Sequence, residues 1–346
     1  MNIKASTYSK KTTIRDIAAM VGISHTTVSR VLNGDMRVRQ ATRDKVLDVV
    51  NNVGFMPNPM AQALSRNRSN LIGLLLSDIS NPFYNEFIRG VEDEATRRGF
   101  RLVLHSISAV LHEQKDSINY LLGSGVDGFI VLSAHMHDPL VEALVHNEVP
   151  TVLVSRATER SICSSVTCNQ GMLTDLALRH LYMLGRRRIA LINASHHNFI
   201  AAERLRVYQQ VLKAFDLPFR EEYVYFGRCF QQNGVEAAEQ FLALPEPPDA
   251  IFASNDFVAL GVMDAVFRAG LEIPRDISLV GSDNAGFSSN PLLSITTVDI
   301  RKYEMGVMGA QIFIDTLEKK RQGYMHKVEL EPALIVRRSC GSALFS

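Results

Sequence analysis

The chain has 346 residues, 46% of them hydrophobic and 21% charged, with 37 Lys or Arg against 36 Asp or Glu. This is the composition of a globular protein with room for more than one domain, and it excludes fibrous and low-complexity classes. The mean hydropathy of +0.02 and the lack of a long apolar run exclude a chain built of membrane-spanning helices.

In chain order, residues 13–53 read as three short helices. The first, "TIRDIAAMVG", places Ile14, Ile17, Ala18 and Val21 on one face and stops at Gly22. Thr13 and Asp16 have the spacing of a capping pair. The second is "SHTTVSRVLNGD", with Ser24 as N-cap and "NGD" as its stop. Its composition is unusual. Val28, Val31 and Leu32 are its large apolar residues, and the rest is polar. A helix that needed only stability would carry more Ala, Glu and Lys. The third, "ATRDKVLDVVNNVG", turns Val46, Val49, Val50 and Val53 inward and ends at Gly54. A helix, a tight turn around Gly22 and a second helix form a helix-turn-helix pattern.

This region is also the basic end of the chain. Residues 1–70 hold eleven Lys or Arg, four Asp and no Glu, a net charge of +7, and the remainder is −6. A basic module on a mildly acidic body points to a polyanion as the module's partner. A disordered basic tail would account for the charge alone, but not for the helical periodicity and caps. Next, "NPMAQAL" can form a helix too short to hold itself in water, and a polar linker follows.

From Leu71 the pattern changes. "LIGLLLSD" is a continuous apolar run, the mark of a strand buried on both faces. An amphipathic helix follows, then "FRLVLHS", a helix to about Ser124, "GFIVLS", a helix, and "PTVLVSR". After "SSVTCN" the pattern restarts, with "RRIALINA", "VYFG", "AIFASND" and "ISLVGSD" as strands between helices. Two rounds of βαβ alternation predict two similar subdomains with parallel sheets and helices on both faces. Ligands of such sheets bind beyond the carboxyl ends of strands, so a cleft is expected between the subdomains. Four cysteines form no C-x-x-C pair and have no His at finger spacing. They read as free thiols of a reducing compartment. "MNIKASTYSKK" lacks the apolar core of a signal peptide, so the expected location is cytoplasmic.

The motifs "TTIRDIAAMVGISHTTVSRVLNG", "PNPMAQAL", "IGLLLSDISNPFY", "FASNDFVALG", "LVGSDN" and "SITTV" occur in this order. Together they resemble the LacI/GalR transcription regulators from Thr12 to about Ser339. The resemblance implies an all-α helix-turn-helix headpiece (1–56), a hinge helix and linker (57–70) and an α/β core (71–339). That core would hold two doubly wound parallel-sheet subdomains, about 71–168 with 300–325, and about 169–299. A short tail, 340–346, would close the chain. The resemblance further implies a repressor that binds a pseudo-palindromic DNA operator as a homodimer and answers a small, sugar-like effector. No heptads appear near the end, which favours a dimer over a coiled-coil tetramer. Neither a cofactor, a metal nor a membrane partner is expected.

The resemblance also assigns roles. In a helix-turn-helix the second helix enters the major groove. His25, Thr26 and Arg30 occupy the family's base-reading positions. Arg can grip guanine O6 and N7 with two bonds, and Thr can bond a base or pack on a thymine methyl. Thr13, Ser24, Thr27, Ser29 and Asn33 suit phosphate oxygens, which position without specifying. Asn58 would meet a phosphate or cap the hinge helix. Leu64 sits where the family inserts a leucine into the minor groove, a wedge that bends the duplex. In the core, Phe83, Arg204, Asn255 and Asp283 match the effector pattern, with Ser77 and Asp78 beside the first strand as further candidates. Phe83 can stack on a flat ligand face, Arg204 offers a rigid fork, and Asp283 can accept from neighbouring hydroxyls. On local sequence alone, Asn255 and Asp283 read equally as a loop cap and a strand-end turn. The sequence departs from the family at Val207, Ser155, Cys168 and Ser282, where Gly, Asp, Asp and an aromatic are frequent. These departures leave the ligand open.

Other functions fit less well. A sugar-transport protein would carry a signal peptide and no basic headpiece. An enzyme would need a phosphate loop or nucleophile elbow, and neither is present. His135 with His137, and His196 with His197, lack carboxylate or Cys partners at metal-ligand spacing.

Overall fold

The computed structural model describes residues 12–32, 35–55, 68–107, 111–132, 138–156, 162–195, 199–319 and 325–342. The chain divides into two compact units, Met1–Asn70 with Gly123–Asp127, and Leu71–Leu122 with Gly128–Ser346.

The first unit contains α1 (Ile14–Val21), α2 (His25–Leu32) and α3 (Gln40–Val53). Ile17, Ala18, Val28, Val31 and Val46 form its buried core, with Ile14, Val21, Val49 and Val50 packed around it. Both Gly22 and Gly54 are left-handed, at φ 72° and 62°, as expected of glycines that end helices. After Gly54 the chain folds back, and Phe55 N–H bonds Val50 O at 3.0 Å. This corrects one sequence expectation. Phe55 closes the cluster, and Val53 is left exposed rather than turned inward.

The second unit holds two six-stranded sheets. β1 (Leu71–Leu76), β2 (Arg101–Ser106), β3 (Gly128–Val131), β4 (Thr151–Val154), β5 (Ser164–Cys168) and β11 (Lys327–Leu330) form the first, in the order β11-β5-β4-β3-β1-β2. Every pairing in it is parallel. β6 (Ile189–Ala194), β7 (Val224–Gly227), β8 (Ala250–Ala253), β9 (Ser278–Ser282), β10 (Thr296–Asp299) and β12 (Ala333–Ile335) form the second, in the order β12-β10-β9-β8-β6-β7. Here β12 runs antiparallel to β10, an exception to the all-parallel expectation. Its neighbour in sequence, β11, ends two residues before it but pairs in the other sheet, so the two form no hairpin. The central strands are largely apolar and buried, since helices cover both faces; Asn193 of β6 is a buried polar exception.

The helices, in order, are α4 (Asn85–Arg97), α5 (Leu111–Gly123), α6 (Pro139–His146), α7 (Gln170–Met183), α8 (Phe199–Ala214), α9 (Gln231–Leu242), α10 (Asp256–Arg268) and α11 (Lys302–Lys319). Two glycines bring α4 and α11 together. A Cβ on Gly90 would lie 2.2 Å from Tyr303 O, and one on Gly306 would lie 2.4 Å from Phe87 O. No side chain fits there, so the two backbones touch. This contact sets the height of α11 against α4 and so places Lys302, its first residue.

Candidate functional site

In the first unit, the left-handed turn at Gly22 delivers Ser24 to the start of α2. Ser24 Oγ accepts from Thr27 N–H at 3.1 Å and lies 2.8 Å from Thr27 Oγ1. With Val28 and Val31 buried, Ser24, His25, Thr26 and Arg30 are exposed, and Thr27 and Ser29 half-buried. The polar residues of the stretch thus lie on the side of α2 away from the buried Val28 and Val31. Thr13 completes a capping box: its N–H and its hydroxyl each donate to Asp16 Oδ2 at 2.7 Å. Arg37 pairs with Asp35 at 2.7 Å and holds that carboxyl below the usual carboxylate range. Asn33, Asn58, Leu64 and the two His pairs lie outside the described residues.

In the second unit, charged and polar groups collect beyond the carboxyl ends of strands of both sheets. From the first-sheet side come Phe83 and Glu86. Phe83 is half-buried, edge-on to Tyr84 at 5.3 Å and tilted against Phe87 at 5.4 Å. Ser77 Oγ is 2.9 Å from Tyr84 Oη. Asp78 accepts from Ser80 N–H at 2.8 Å and Ser80 Oγ at 2.6 Å, which lowers its pKa, and it remains exposed. From the second sheet come Arg204, Asn255, Asp283 and Asp256.

Arg204 is 5% exposed. Its Nη1 donates to Ser254 O at 2.8 Å, and its Nε and Nη2 donate to Gln170 Oε1 at 3.1 and 2.9 Å. Asn255 is the N-cap of α10: its Oδ1 accepts from Val258 N–H at 2.8 Å, and its Nδ2 donates to Cys229 O at 3.1 Å. The local reading of Asn255 as a cap thus describes its side-chain bonds. Asp283 follows β9 at φ 94° and Asn284 at φ 47°. Two consecutive left-handed residues that are not glycine are costly unless neighbours hold them. Here Ala285 N–H donates to Asp256 Oδ2 at 2.7 Å, Asn284 N–H to Thr297 Oγ1 at 3.2 Å, and Arg337 Nη2 to Asn284 Oδ1 at 2.8 Å. The loop is built to present Asp283. Burial pushes the Asp283 carboxyl upward, and the charges of Lys302 and Arg204 oppose that shift. Burial likewise pulls the Arg204 guanidinium down.

The sequence reading did not single out Glu86, Gln170, Asp256 or Lys302. Lys302 is 2% exposed, its Nζ 3.5 Å from Glu86 Oε1 and 5.9 Å from the centre of the Phe83 ring. Asp256 is fully buried, and among the described residues its Oδ1 has no hydrogen-bond partner. A signal for both was available. Lys302 shares a helical stripe with Met305, Gly306, Gly309, Ala310 and Phe313, all buried. A charge at the head of a buried apolar stripe marks a site rather than a core.

Burial pushes Asp256 up to about 7, with the nearby Asp283 charge adding to the shift, while Thr297, the Ala285 N–H and Lys302 oppose it. The folded value therefore lies above the ordinary 3.8. The native state holds a proton that the unfolded chain releases between those two values. The cost of the ionised form is absent below the unfolded pKa and complete above the folded one. Asp256→Asn carries no such cost. Its stability relative to wild type should rise by an amount on the order of a few kcal/mol at most between about pH 4 and about pH 8. Urea unfolding at both values measures this; a difference independent of pH would refute the assignment.

Residues 13–58 match the bacterial regulatory proteins of the lacI family, and residues 178–340 match the periplasmic binding protein-like domain. Catabolite control protein A of Priestia megaterium is 32% identical over 309 residues, covering 89% of this chain and 93% of that protein. The chain belongs to the lacI family of bacterial regulatory proteins. It is a DNA-binding transcriptional regulator, and the family's members are regulators rather than enzymes. Solved structures agree over most of the chain. The lac repressor dimer bound to operator and the anti-inducer ONPF superposes with a TM-score of 0.84 at 25% identity, covering 96% of this chain and 99% of that one. The complex of the transcriptional regulator CelR with cellobiose gives a TM-score of 0.72 at 29% identity, covering 95% and 100%. Among the described residues no helix is long and apolar enough to cross a membrane.

Proposed function

We propose that this regulator is a repressor that binds a pseudo-palindromic operator as a homodimer in the cytoplasm, and that a sugar-like effector in the strand-end cleft controls it. Residues 1–56 act as headpiece, 57–70 as hinge and linker, and 71–339 as the effector-binding and dimerising core. His25, Thr26 and Arg30 read bases. Thr13, Ser24, Thr27, Ser29 and Asn33 meet phosphates, Asn58 starts the hinge helix, and Leu64 wedges into the minor groove. Phe83, Arg204, Asn255 and Asp283, with Ser77 and Asp78, line the effector side. The observation that carries the DNA reading is the exposed polar face of α2, on the basic end of the chain, while Val28 and Val31 are buried. The operator-bound dimer and the cellobiose complex among the solved relatives support the partner and the ligand class.

The test is a substitution on that face. Arg30→Ala should cost roughly 1–3 kcal/mol per half-site on operator DNA, the worth of one bidentate base contact. Binding to random DNA should change far less, because only a phosphate-independent term is lost. Fluorescence anisotropy on both DNAs measures the two affinities. Equal losses on operator and random sequence would remove Arg30 from base reading.

A further inference from the structure

The cleft holds two buried cations, Arg204 and Lys302, and among the described residues the one carboxylate in ion-pair reach of either is Glu86. Among the described residues the hydrogen bonds of Arg204 go to neutral acceptors, the Gln170 amide oxygen and the Ser254 carbonyl, while the Asp283 charge acts on it without a hydrogen bond. Lys302, at 2% exposure, has one ion pair, at 3.5 Å, with Glu86, whose side chain is 42% exposed. The face of Phe83 lies 5.9 Å from the same ammonium. Burying an ammonium or guanidinium costs several kcal/mol unless an opposite charge meets it. A half-exposed carboxylate at the edge of ion-pair distance, shared with water, offsets only part of that.

Both cations also act on one place. Each lowers the pKa of Asp283, yet burial still leaves that carboxyl above its ordinary value. Asp283 accepts its side-chain hydrogen bond from Ser282 Oγ at 3.2 Å, not from either cation. The second carboxyl near Lys302, Asp256, is fully buried, and its Oδ2 is committed to Ala285 N–H. Among the described residues, the Asp256 carboxyl is thus committed to the loop and the Glu86 carboxylate is shared with solvent, so Asp283 is the buried carboxyl that both cations act on.

We propose that the effector is an anionic polyhydroxy compound, a sugar acid or sugar phosphate, whose charged group sits between Lys302 and Arg204 while Asp283 accepts from its hydroxyls. This deepens the cleft reading given above and rests on it. Lys302 is then a specificity-determining residue. A neutral sugar would leave its ammonium buried against an aromatic face with the half-exposed Glu86 as its ion-pair partner, and the missing second partner would be the term that rejects it.

The experiment is a melting-temperature titration of the full-length protein with matched triplets: D-glucose, D-gluconate and D-glucose 6-phosphate; D-galactose, D-galacturonate and D-galactose 6-phosphate; D-ribose, D-ribonate and D-ribose 5-phosphate. A ligand that binds only the folded state raises the melting temperature with concentration. At least one anionic member should do so while its neutral parent does not, and the carboxylate and phosphate arms separate the two sources of charge. Lys302→Met should weaken that anion roughly ten- to a hundredfold, the usual cost of a lost charged hydrogen bond, and Lys302→Arg should recover part of it. Operator binding without ligand serves as the folding control for both variants. A neutral sugar that binds as tightly as its anionic partners would overturn the inference and leave the cleft reading standing. So would an anion that binds Lys302→Met and wild type alike. Silence from all nine compounds would sink the sugar-like effector itself.

Discussion

Raising the salt from about 50 to about 200 mM lowers operator affinity by roughly a thousandfold or more, if each operator complex neutralises about six to ten phosphates. The expectation follows from where the charge lies. The whole chain carries only +1, so a mean-field view would predict little salt sensitivity. Residues 1–70 carry +7, however, and a dimer presents two such modules to one duplex. Within the module, Asp35 answers Arg37, while Arg30 stands exposed on the outer face of α2. Each phosphate neutralised releases condensed counterions and adds about −0.9 to the slope of log affinity against log salt. The core contributes no such term, since the remaining residues carry −6. Anisotropy titrations on operator DNA across this range give the slope directly. A slope near zero would mean that the basic module does not meet the phosphate backbone, and the DNA-facing assignment of α2 would fall with it.

Most of the architecture was readable because it rests on local patterns. Helical spacing around Ile17, Val28 and Val46, with capping residues Thr13 and Ser24, identified the three headpiece helices, and their caps lie where the spacing put them. Apolar runs such as that of β1 announced strands buried on both faces. What stayed hidden depends on long-range pairing. β11 and β12 are short, with half-exposed or exposed residues, and carry no strong pattern of their own. They exist because β5 and β10 offer unpaired edges in two different sheets. Within the cleft, sequence motifs pointed to Arg204 and Asp283, but no motif marks Gln170, whose oxygen takes two of the Arg204 N–H groups. That pairing is visible only once α7 and α8 lie side by side. Lys302 and Asp256 were open to a different argument, the cost of a charge on a buried stripe, which needs no motif at all.

The effector response should disappear in Asp283→Asn while operator affinity without effector stays at the wild-type level. Asn is the informative change. Residue 283 sits at φ 94°, a conformation that Asn and Asp tolerate better than Ala, so the loop keeps its shape and only the charge goes. The clamp from Asp256, Thr297 and Arg337 acts on Asn284 and Ala285, and it survives the substitution. A ligand shifts the balance between two core states only by the difference in its affinity for them. If Asp283 makes contacts in one state that the other lacks, removing its charge removes the difference. The wild-type coupling should be of the usual size, about 1–3 kcal/mol or roughly 5- to 150-fold in operator affinity. By linkage, operator DNA must change effector affinity by the same factor, and that reciprocal effect should vanish in the mutant as well. Operator affinity with and without a sugar that shifts the wild type provides one half of the test. Effector affinity with and without operator provides the other. A mutant that retains the full response in both directions would place the coupling outside this cleft.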